Sequence, residues 1–88
     1  MKIKEGFVLR EVAGSYVVVA VGKASFKFKG LINLNETGAF LFKAIDAGVA
    51  SEEELVNRIM SEYEIDYDRA KKDVNSFVEK LRGAGVIE

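Results

Sequence analysis

The apolar pattern changes period once along the chain. From Phe7 to about Leu34 apolar residues run together or alternate, and from Asn35 onward they recur at spacings of three and four. Phe7-Val-Leu-Arg-Glu-Val12 and Tyr16-Val-Val-Val-Ala-Val21 are rich in β-branched residues and are separated by Ala13-Gly14-Ser15, which predicts a β-hairpin. The second run is apolar on both sides, as expected of the central strand of a small covered sheet. Ser25-Phe-Lys-Phe-Lys29 then alternates, with Phe26 and Phe28 on one face and Lys27 and Lys29 on the other. Gly30 interrupts the alternation and Leu31-Ile32-Asn33-Leu34 resumes it, so the pattern predicts a third strand over 25–34, bulged or kinked at the glycine.

The remainder predicts three helices. Asn35 suits an N-cap, Glu36 favours the positive end of a helix dipole, and Phe40, Leu41, Ala44 and Ile45 form one face before Gly48. Ser51-Glu-Glu-Glu54 has the form of a capping box, opening a second helix with Leu55, Val56, Ile59, Met60 and Tyr63 on its apolar side. Asp66 can cap a third helix carrying Tyr67, Ala70, Val74, Phe77, Val78 and Leu81, which ends at Gly83-Ala-Gly85, leaving Val86-Ile87 to fold back on the body. The expected fold class is α+β: a three-stranded antiparallel sheet followed by three helices, in the manner of a winged helix-turn-helix. With no proline, no repeat and no low-complexity stretch, residues 1–88 are expected to form one domain.

Composition removes whole classes of chemistry. The 88 residues include no cysteine and no histidine, so disulfides, soft metal sites and the common nucleophilic triads are not expected. The acidic groups Glu52/Glu53/Glu54 and Asp66/Asp68 sit at helix starts, where solvated charge is the ordinary explanation. Gly30 and Gly38 match neither nucleotide-binding fingerprint. These features predict a protein that is not an enzyme and carries no cofactor. Thirteen Lys and Arg against fourteen Asp and Glu give no global field for nucleic acid or anionic lipid. The third helix mixes Arg69, Lys71, Lys72, Lys80 and Arg82 with Asp68, Asp73 and Glu79, and the second is net acidic, which makes a poor phosphate-binding surface. No stretch is long and apolar enough for a membrane span, and a cytoplasmic location without membrane attachment is expected.

The Phe-Lys-Phe-Lys segment supports two compatible expectations. Lysines on one face of an edge strand discourage self-pairing, and the same edge can accept an extended peptide as an added strand.

Several motifs are similar to those of the PqqD-like family. They are Leu34-Asn35-Glu36-Thr37-Gly38-Ala39 followed by Phe40-Leu41-Phe42, then Asp46-Ala47-Gly48, the capped Ser51-Glu-Glu-Glu-Leu-Val helix and Tyr63. The closing helix reads Asp73-Val74-x-x-Phe77-Val78-x-x-Leu81 and ends in Gly85-Val86-Ile87, so the resemblance extends from about Phe7 to Ile87. Three departures stand out: a long Gly22–Gly30 connection, Phe42 where relatives often carry tryptophan, and Asp46-Ala-Gly in place of a tighter Asp-Gly.

The resemblance implies a non-catalytic recognition element for ribosomally made, post-translationally modified peptides. Such a domain binds the leader of a precursor peptide by β-strand addition and delivers it to a modifying enzyme, commonly of the radical-SAM type. It implies a docking edge at Lys29, Leu31, Ile32 and Asn33, with an opposing wall from the third helix. On that wall Val74, Phe77 and Val78 are expected to floor an apolar pocket, with Lys71 and Asn75 on one flank and Lys71 attracting acidic leader residues. The competing expectations are a winged-helix DNA-binding regulator, or a structural domain whose strand edge pairs with its own copy as a homodimer.

Overall fold

The computed structural model describes residues 1–28 and 30–88. Strands β1 (Phe7–Val12) and β2 (Ser15–Ala20) form the expected hairpin, in register from Phe7 opposite Ala20 to Val12 opposite Ser15. Its loop is only two residues long, Ala13 at φ 52° and Gly14 at φ 82°. Two successive positive φ values give the turn whose twist matches the flanking strands.

The segment predicted to open the third strand does not do so. Residues Ala24–Lys27 form a short helical turn, α1, and the strand β3 comprises only Leu31–Leu34. The turn packs where Gly6 lacks a side chain: a Cβ there would lie 2.7 Å from that of Ala24. Phe28 then leaves α1 in extended conformation and sets its ring edge-to-face against Phe7, 5.3 Å between centroids. The alternation of Phe26 and Phe28 thus separates an exposed ring from a packed one, rather than marking one face of a strand.

The sheet order is β1-β2-β3, antiparallel throughout, with Val18 of β2 opposite Ile32 of β3. β2 is central, as expected, but only one face of the sheet is covered. Val18 is fully buried, and Phe7, Leu9, Ile32 and Leu34 pack with it against the helical core. On the other face Val17 and Val19 are half-buried, while Val12 and Leu31 are 59% and 53% exposed. An antiparallel sheet tolerates such a solvated face.

Three long helices follow: α2 (Glu36–Ala47), α3 (Glu52–Glu62) and α4 (Tyr67–Gly83). Each begins at the expected cap. The Asn35 side chain accepts the amide of Gly38 at 2.7 Å, Ser51 that of Glu54 at 3.3 Å, and Asp66 that of Arg69 at 2.8 Å. Glu54 completes a variant capping box by accepting the amide of Ala50 rather than that of the cap residue. Phe42, Leu41 and Ile45 of α2, Leu55 and Ile59 of α3, and Val74, Val78 and Leu81 of α4 fill the core at 1% exposure or less. Beyond α4, Gly85 at φ 80° turns the chain back, and Val86 and Ile87 are buried against the N-terminus through an Ile3–Ile87 bridge. The result is a winged helix-turn-helix-like arrangement with a helical turn inserted between β2 and β3.

Candidate functional site at the free edge of the sheet

β3 is an edge strand, and the hydrogen-bonding pattern fixes which of its backbone groups are free. The amide of Val21 donates to Gly6 at 2.7 Å, which directs the odd-numbered residues of β2 toward β1. Tyr16 and Val18 therefore bond toward Leu34 and Ile32. By the same alternation Leu31 and Asn33 turn their N–H and C=O groups away from the sheet. Lys80 of α4 marks that direction: its ammonium donates to the Asn33 carbonyl at 3.4 Å from outside the sheet.

Between this edge and α4 lies a groove of about 430 Å³. One wall is Asn33, Leu34 and Asn35, the base is Thr37, Gly38 and Leu41 of α2, and the other wall is Arg69, Asp73, Ser76, Phe77 and Lys80 of α4. The wall residues of α4 follow one another at intervals of four, three, one and three, a single stripe of a helix. Over the roughly 1.5 Å rise per residue, Arg69 and Lys80 stand about 16 Å apart, the reach of about five residues in extended conformation. The wall is amphipathic. Phe77 presents an apolar surface toward its Lys80 end, Arg69 pairs with Asp73 at 3.2 Å, and Lys80 has no carboxylate partner among the described residues. Among those residues no group of three or more His, Cys, Asp or Glu side chains assembles as a metal site.

The sequence-derived site residues separate in three dimensions. Leu31, Ile32 and Asn33 form the edge strand, with Leu31 and Asn33 exposed and Ile32 turned to the core. Lys29 lies outside the described residues. Of the five residues expected on the opposing wall, Phe77 lines the groove, whereas Val74 and Val78 are buried in the core at 1% and 0% exposure. Lys71 and Asn75 are exposed and do not line the groove, and the Lys71 ammonium lies 5.8 Å from the centre of the Tyr67 ring. At about 100° per residue they point away from the groove stripe, on the opposite flank of the apolar face from Phe77. Sequence reasoning missed Arg69, Asp73, Ser76 and Lys80. Their signal was their spacing of −8, −4, −1 and +3 from Phe77, readable once the groove is known to lie on the Phe77 flank.

The fold and groove define a class: a small winged-helix-like domain whose open strand edge runs beside a helix. The sequence model for coenzyme PQQ synthesis protein D (PqqD) matches residues 15–87, and the chain belongs to the PqqD family. Two solved structures share its fold. TbiB1 in complex with the TbiA(beta) leader peptide superposes with a TM-score of 0.78 at 22% identity, over 100% of this chain and 95% of that one. Lasso peptide synthetase B1, complexed with its leader peptide, superposes with a TM-score of 0.75 at 18% identity, over 99% and 95% of the respective chains. No curated protein matches the sequence.

Proposed function

We propose that the protein holds a precursor peptide. Its leader segment adds as a fourth strand to the free edge of β3, lies in the groove against α4, and is presented there to a separate modifying enzyme. The carrying observation is the pair of outward-facing backbone positions on β3, Leu31 and Asn33, of which Asn33 lines a groove large enough for about five extended residues. Membership of the PqqD family supports the reading, as does the fold shared with two proteins solved in complex with leader peptides.

In this role the protein has no catalytic group or cofactor of its own, and the chemistry belongs to the partner enzyme, for which a radical-SAM protein is the leading candidate. The site works in the cytoplasm, where a ribosomal peptide meets such an enzyme. Affinity comes from backbone hydrogen bonds, each contributing about 0.5–1.5 kcal/mol net, and from burying side chains against Phe77 and Leu34. Leu31, Ile32 and Asn33 form the docking edge, Phe77 is the apolar contact, and Val74 and Val78 support it from beneath. Lys71 and Asn75 meet only a segment that extends around α4.

The test is to add the leader of a short precursor encoded beside this gene to the isotope-labelled protein and follow backbone amide shifts. Shifts concentrated at Leu31, Asn33 and the groove side of α4 support strand addition. A leader that leaves these amides unmoved removes the reading, and a stable dimer formed through β3 without peptide replaces it with self-pairing.

A further inference from the structure

We infer that Lys80 makes the groove selective for a carboxylate on the docked segment; this rests on the peptide-holding reading above. The wall formed by α4 carries two cations. Arg69 is engaged by Asp73, one turn away at 3.2 Å. Lys80 instead reaches across the groove, and its polar contact is the backbone carbonyl of Asn33 at 3.4 Å. That carbonyl is one of the groups an added strand must use. A segment entering between β3 and α4 donates its own N–H to Asn33 and occupies the space the lysine spans. The ammonium is thereby detached from the edge and left facing the side chains of the segment, with Phe77 beside it in the same wall.

The side chain the segment carries at that point sets the outcome. A carboxylate takes the ammonium in a charge-assisted hydrogen bond and restores the lost contact. A neutral side chain leaves the ammonium to swing out to water, and a cation repels it. Lys80 thus does two things. Before binding it covers the edge carbonyl, which discourages pairing with a second copy, and after binding it reads one position of the peptide. The preference for Glu over Gln at that position is about fivefold, at the upper end for a solvent-accessible ion pair, and shrinks as added salt screens it.

The experiment selects random dodecapeptides from a display library on the immobilised 88-residue chain, in parallel with its Lys80→Met and Lys80→Arg variants. Enriched peptides are resynthesised as Glu/Gln pairs, and their binding and their effect on the Leu31 and Asn33 amides are measured. The expected result is an acidic residue enriched at one fixed position on the parent protein, retained with Lys80→Arg and lost with Lys80→Met. Peptides that shift the edge amides without acidic preference, or with the same preference on Lys80→Met, overturn the role of Lys80 and leave strand addition standing. If no selected peptide shifts the edge amides, both fall. Lys80 is exposed, and thermal melting of the variants verifies that they remain folded.

Discussion

Phe7 and Phe28 meet edge-to-face, their ring centroids 5.3 Å apart and their planes at 81°, joining the first residue of β1 to the residue that leaves α1. Phe26, two positions earlier, is 75% exposed. The two rings therefore differ in energetic weight. Phe28→Ala is expected to cost about 1–3 kcal/mol, from the aromatic pair plus partial burial, and Phe26→Ala to stay within about 0.5 kcal/mol of the parent. Urea denaturation of the two variants measures the difference. A strand with both rings on one face would give similar losses.

That pair also shows why part of the fold was not legible in the sequence. Four alternating residues are too few to separate a strand from a helical turn, and the outcome depends on a remote fact, the room Gly6 leaves for Ala24. The long helices were legible because each combines a cap with a face of several turns: Asn35, Ser51 and Asp66 all bond where the sequence places them. For the site, the edge position of β3 could be read from strand order. The side of α4 that faces it could not. The helix has a broad apolar face, and only the packed structure shows that the groove opens beside Phe77 and not beside Lys71.

Gly38 is buried in the first turn of α2, and its amide is the donor to the Asn35 cap. In an ordinary helix Gly→Ala gains about 0.5–1 kcal/mol. Here a Cβ would stand 3.2 Å from Asn35 Oδ1 and 3.3 Å from Leu34 Cβ, the stiff root of a side chain at the end of β3. Gly38→Ala is therefore expected to destabilise by about 1 kcal/mol, reversing the usual sign. Asn35→Ala should cost a similar amount through the lost cap. Chemical denaturation of both variants, compared with the parent, checks the prediction.

The carboxylate of Glu54 is held below the ordinary glutamate pKa, chiefly by the amide of Ala50 and further by Arg58, whose guanidinium lies 2.8 Å away. A depressed folded-state pKa means that this stabilisation is present above the unfolded-state value and is lost as pH falls through the folded one. The stability difference between the parent and Glu54→Gln is thus expected to be present near neutral pH and to disappear on the acid side. Denaturation at about pH 7 and about pH 3 measures it, and a carboxyl NMR titration should place the Glu54 midpoint below the usual glutamate value.

Phe77 and Val78 are neighbours in sequence with different work to do. Val78 is fully buried and does not line the groove, while Phe77 is 8% exposed and does. Val78→Ala is expected to lower stability by about 1–2.5 kcal/mol and to leave peptide affinity unchanged in the fraction that remains folded. Phe77→Leu keeps most of the core contact but flattens the groove wall. It should weaken peptide binding several-fold at a stability cost of about 1 kcal/mol. Calorimetric binding together with urea denaturation separates the two effects.

Ile32 and Asn33 differ in which way their backbone amides point, and proline reads this directly because it removes the N–H and blocks the space beside it. The Ile32 amide belongs to the ladder with Val18, so Ile32→Pro should break the β2–β3 pairing and destabilise the sheet by about 3 kcal/mol or more. The Asn33 amide faces the open edge, where proline is tolerated, so Asn33→Pro should cost little stability. Its effect falls on the added strand, which loses a backbone hydrogen bond and meets the proline ring. Peptide affinity should drop by about tenfold or more, equivalent to at least one backbone hydrogen bond. Far-UV circular dichroism with urea denaturation reports the first property and titration with leader peptide the second. A folded Asn33→Pro variant that binds peptide as tightly as the parent would place the docking site elsewhere on the molecule.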